Sequence, residues 1–110
     1  MAKAKLTTEI KQQVDAIVAR FNAEDLRDRP YAHFVTQYRG AHLYLGHSRR
    51  GKFWPVCRLT YTGDMDKWEF AIYKYSDEAY DPHEWMFTGA GEVDGTIQGA
   101  MRAGLAAYPP

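Results

Sequence analysis

The run Lys-Trp-Glu-Phe-Ala-Ile-Tyr-Lys-Tyr at 67–75 constrains the fold more than any other segment of the chain. Side chains alternate across a β-strand, so Trp68, Phe70 and Ile72 point one way and Glu69, Ala71, Tyr73 and Tyr75 the other. The first set is wholly apolar and the second amphipathic. A strand patterned in this way meets a core on one side and water or a partner on the other.

Helical periodicity brackets this strand pattern. Thr7 or Thr8 is placed to cap a helix ending near Ala23, with Ile10, Val14, Ile17, Val18 and Phe21 on one stripe. A second stripe, Val93, Ile97, Ala100, Met101, Leu105 and Tyr108, predicts a helix over 94–107. Between them, strands are predicted over 32–38, 41–47, 53–62 and 67–75. They are joined by a tight turn at Arg39-Gly40, a polar tip at 48–52 and a Gly-containing turn at 62–66. Residues 76–82 read as an acidic turn and 83–88 as a short fifth strand.

Short connections between successive strands imply an antiparallel meander. The predicted fold is therefore one α+β domain over residues 1–110, a two-layer sandwich of order α-β-β-β-β-(β)-α. Both helices must bury an apolar stripe, and the apolar face of the single sheet is the place for both. On the last helix Gly95, Gly99, Ala103 and Ala107 recur every fourth residue, which predicts close packing on the first helix or on the sheet.

The uncovered face would then carry Val35, Gln37, Arg39, His42, Tyr44, Val56, Arg58, Thr60, Glu69, Tyr73 and Tyr75. Tyrosine supplies eight of the sixteen aromatic residues, and Tyr and Arg are enriched where proteins bind partners. Arg39, Tyr44, Arg58, Glu69, Tyr73 and Tyr75 are the candidate partner-binding residues. Tyrosines would anchor, and the charged groups would fix orientation.

Formal net charge is zero, which argues against a protein built around nucleic acid or an anionic membrane. The halves differ: residues 1–60 hold eleven Lys and Arg against five Asp and Glu, residues 61–110 three against nine. A folded domain interleaves such halves. Single-stranded nucleic acid is the alternative partner, with bases on Tyr44 and Tyr73 and phosphates at Arg49, Arg50 and Lys52. The order of elements resembles the double-stranded RNA-binding fold in topology alone. That resemblance implies lysines at the start of the last helix, where this chain has Gly91-Glu92-Val93-Asp94. Acidic residues there repel phosphate, and more plainly cap the helix. The arrangement is also similar to frataxin-like sandwiches, but the first helix mixes Lys11 and Arg20 with Glu9 and Asp15 instead of presenting an acidic ridge.

Catalytic signals are thin. Cys57 alternates with Leu59 and Tyr61 and reads as a small core residue; a lone cysteine excludes an internal disulfide framework. His42 and His47 point to opposite faces of one strand, and the turn at 81–84 reads as solvated. A small hydrolase is the third reading; it requires His42 or His83 to meet a carboxylate or Cys57. The sequence predicts no catalytic residue, metal or cofactor. With no run of the ~20 apolar residues a membrane helix needs and no apolar leader, a cytoplasmic location is expected. The leading expectation is a non-enzymatic domain binding a protein partner, or a second copy of itself, through the open sheet face.

Overall fold

Thr7 starts the first helix by accepting the Ile10 N–H on its hydroxyl at 3.2 Å, satisfying one of the donors a helix start leaves open. The computed structural model describes residues 4–109. In it α1 spans Thr8–Glu24 and buries Val14, Val18 and Phe21. A 3₁₀ turn, Pro30–Ala32, follows. Proline fixes a turn-compatible φ there, so the first strand begins at Phe34, two residues later than expected.

Five strands follow: β1 Phe34–Arg39, β2 His42–Arg49, β3 Lys52–Thr60, β4 Glu69–Lys74 and β5 Ala79–Asp81. They form one antiparallel sheet in sequence order, the expected meander. Arg50 and Gly51 turn β2 into β3 with φ of 55° and 75°. Two consecutive positive values match the turn type whose twist suits a two-residue hairpin.

The fifth strand is not 83–88. It is Ala79–Asp81, inside the stretch read as an acidic turn. Glu78 adopts φ 50°, which reverses the chain and brings Tyr80 opposite Tyr73. Residues 83–88 instead carry Trp85 and Phe87 to Phe70, with ring centroids 5.8 and 5.9 Å away.

β3 also departs from simple alternation. Leu45 pairs with Cys57 and Gly46 with Pro55, so Val56 is an extra residue in the ladder. Proline cannot donate to a ladder and is tolerated at such bulges. The bulge turns Val56 from the open face into the core, where it is buried. It also inverts the residues before it, so Trp54 lies on the helix side of the sheet.

α2 spans Ile97–Ala107 and starts three residues later than expected. Its cap is Thr96, not Glu92 or Asp94. The Thr96 hydroxyl accepts the Gly99 N–H at 2.9 Å. Asp94 holds that cap by accepting the Thr96 N–H at 3.0 Å and its O–H at 2.6 Å. The Thr96 hydroxyl also keeps the Asp94 carboxyl below its ordinary range. Glu92 pairs with Arg102 at 3.3 Å.

The small residues of α2 serve a different neighbour from the one expected. A Cβ on Gly99 would lie 2.2 Å from Asp94 Oδ1, and one on Gly89 2.6 Å from the Ala106 Cβ. The 89–95 loop therefore nests on that stripe. Gly104, off the stripe, meets the sheet, where a Cβ would lie 2.5 Å from Val56 Cγ1.

Both helices cover one face. Val14, Val18 and Phe21 from α1 and Ile97, Ala100 and Met101 from α2 share a core with Phe34, Leu43, Leu45, Cys57, Leu59, Phe70 and Ile72. The other face of the sheet carries no helix. Among the described residues no helix is long and apolar enough to cross a membrane.

Candidate functional site

Strand pairing assembles the helix-free face in rows. One row runs Arg39, His42, Thr60, Glu69 across four strands; the next runs Gln37, Tyr44, Arg58, Ala71. Tyr73 and Tyr80 pair across β4 and β5. Directly opposed side chains in such pairs lie close enough to interact.

Tyr80 is the hub. Its ring centroid lies 4.9 Å from that of Tyr73 and 5.2 Å from that of Tyr44, and the Arg58 guanidinium sits 5.7 Å above it. Burial pushes the Tyr80 phenol up, so it stays protonated and neutral at physiological pH. A guanidinium over an aromatic face gains from the ring quadrupole. The buried Arg58 Nε has no hydrogen-bond partner among the described residues.

Arg39, Tyr44, Arg58, Glu69 and Tyr73 stand together on this face, with Arg39 and Glu69 exposed at its outer positions. Tyr75 does not sit among them. It lies past the end of β4, where alternation no longer binds it, and its hydroxyl donates to the Pro55 carbonyl at 2.6 Å. Its ring packs between Tyr73 at 4.8 Å and Tyr108 at 5.3 Å, joining the sheet rim to the end of α2. Arg49, Arg50 and Lys52 are exposed at the β2–β3 tip, and the Lys52 ammonium lies 5.2 Å over the Trp54 ring.

The residues of the hydrolase reading are divided between the core and the sheet surface. Cys57 is buried among apolar neighbours, and desolvation pushes its thiol up. A buried protonated thiol is a poor nucleophile. His42 shares a row and a hollow with Glu69, and its Nδ1 lies 2.9 Å from the Thr60 hydroxyl that stands between them. Asp81 and Glu84, near His83, engage Lys74 at 3.8 and 3.1 Å. Among the described residues no three His, Cys, Asp or Glu side chains converge as metal ligands.

Three hollows bear on function. Gln37, Arg39, Tyr44, Phe53 and Tyr80 border one of about 520 Å³ on the open face. His42, Arg58, Thr60 and Glu69 border another of about 270 Å³ beside it. A third, of about 300 Å³, lies under the end of α2 among His47, Arg49, Trp54, Tyr75 and Tyr108.

Sequence reasoning missed Tyr80 and the third hollow. Tyr80 follows a turn, 75–78, with neither Gly nor Asn to mark a hairpin, so its strand left no turn signature. The third hollow depends on the Val56 bulge, which simple alternation does not reveal. No family model, characterised protein or solved structure matches the chain.

Proposed function

We propose that this domain is a non-enzymatic binding module whose open sheet face docks a protein partner with an acidic, partly apolar surface. The observation that carries this reading is the cluster of Tyr44, Tyr73 and Tyr80 with the Arg58 guanidinium on its hub, on a face no helix covers. Rings of this kind bury much area for little lost side-chain freedom, and central Tyr and Arg dominate binding energy at interfaces. The charge of the face selects the partner. Arg39 and Arg58 outnumber the single carboxylate of Glu69 on it, and Arg50 stands exposed at the neighbouring tip. An arginine positioned over a ring presents its remaining donors to a carboxylate.

Selection of random displayed peptides on the intact chain tests this. Enriched peptides should combine Asp or Glu with apolar residues, and Tyr80→Ala or Arg58→Ala should weaken them by about tenfold or more. Circular dichroism of each variant separates lost binding from lost folding. Enrichment of basic peptides, or undiminished binding by both folded variants, overturns the proposal. Light scattering at two salt concentrations asks whether the acidic partner is a second copy. Tight binding of mixed oligonucleotides that weakens steeply with salt would transfer the face to nucleic acid.

A further inference from the structure

The hollow under the end of α2 lies on the helix side of the sheet, apart from the face just described, and has the parts of a small-molecule site. Trp54, Tyr75 and Tyr108 stand around it, with centroids 6.4 Å apart for the first pair and 5.3 Å for the second. Both phenols are committed to backbone carbonyls, Tyr75 to Pro55 and Tyr108 to Tyr73, so these rings are fixed as walls. Trp54 and Tyr75 nevertheless remain 39% and 41% exposed, a large aromatic surface left in contact with solvent.

His47 forms part of the same wall and is only 3% exposed. Its Nδ1 lies 3.3 Å from the His33 carbonyl. A carbonyl only accepts, so Nδ1 carries the proton and Nε2 carries a lone pair. Nε2 is buried and has no partner among the described residues. Buried polar atoms without partners are uncommon and call for a reason. Arg49 completes the lining, exposed and engaged in no ion pair among the described residues; no Asp or Glu lines the hollow.

We propose that this cavity binds a small planar aromatic anion. The rings of Trp54, Tyr75 and Tyr108 hold its flat body, the His47 ring closes the inner end, and its carboxylate meets Arg49. A volume of about 300 Å³ is at the lower end of ligand sites and suits one or two fused rings. Cations are excluded by Arg49 and by the Lys52 ammonium over the outer Trp54 ring.

The intact chain titrated with indoleacetate and with neutral indole, followed by ¹H–¹⁵N correlation spectra, tests this. Indoleacetate should give saturable shifts of the Trp54 indole N–H, and it should bind about tenfold tighter than indole. Arg49→Ala should abolish that preference, weakening indoleacetate about tenfold more than indole. Absence of saturable shifts at millimolar probe, shifts that leave Trp54 unmoved, or equal binding of indole and indoleacetate would overturn the assignment.

Discussion

The Asn22 side chain makes both of the bonds to Phe34 that a neighbouring strand would make. Its Oδ1 accepts the Phe34 N–H at 2.9 Å and its Nδ2 donates to the Phe34 carbonyl at 3.0 Å. One residue of α1 thus docks the helix on the outer edge of β1 and satisfies the first exposed rung of that edge. Asn22→Ala removes both partners at a partly buried site and should cost about 1–3 kcal/mol of unfolding free energy, read from the urea midpoint. Asn22→Asp keeps the acceptor but sets a carboxylate against the Phe34 carbonyl, so it should recover little. Stability unchanged in both variants would mean that the docking is dispensable.

Gly95 bears two constraints at once. Its φ is +88°, and a Cβ there would lie 2.3 Å from the Asp66 carbonyl oxygen. Its own carbonyl accepts the Trp68 N–H at 2.9 Å, tying the loop before α2 to the start of β4. Gly95→Ala should therefore cost about 2–4 kcal/mol, combining left-handed strain with a backbone clash. Gly91→Ala, in the same loop with open space around it, is the control and should stay within about 0.5 kcal/mol.

His47 should set part of the acid limb of the stability curve. Desolvation holds its imidazole below the ordinary value of 6.5, opposed by the bond to the His33 carbonyl. The folded chain then binds the proton less readily than the unfolded chain. Stability is complete above 6.5 and declines as pH falls through that value, because protonation favours the unfolded state. Urea midpoints taken between about pH 7.5 and pH 5 should fall for the wild type and fall less for His47→Gln. Parallel decline of the two proteins would assign the acid sensitivity to other groups.

Cys57 should behave as a reporter of unfolding. Burial keeps its thiol protonated, so labelling by a thiol-directed disulfide reagent should be negligible in native buffer and complete in denaturant. Cys57→Ser places a hydroxyl among Leu45, Leu59 and Ile72 and should cost about 1–3 kcal/mol, measured by thermal or urea unfolding. Rapid native labelling would show that the β3 segment opens locally.

The layers of this fold were legible because each follows from a long, regular period. The stripes through Val14, Val18 and Phe21 and through Ile97, Ala100 and Met101 repeat at helical spacing, and the 67–75 run alternates without interruption. Arg39, Tyr44, Arg58, Glu69 and Tyr73 could accordingly be assigned to one face before any coordinates. What escaped depends on single residues that break a period. Glu78 turns the chain without glycine, which hid β5 and Tyr80. Val56 interrupts β3, which reversed its own side and that of Trp54. Tyr75 lies one residue beyond β4, where nothing local fixes its direction. The spacing of small residues on α2 correctly signalled close approach, but not that the 89–95 loop rather than a helix or strand would approach.

The surplus residue at Val56 has an evolutionary corollary. Deleting that one position would restore strict alternation and leave the indole of Trp54 on the helix side opposite His47, while removing the isopropyl group that Gly104 of α2 approaches. A single-codon deletion there would therefore disturb the seat of α2 without carrying any aromatic ring from one side of the sheet to the other.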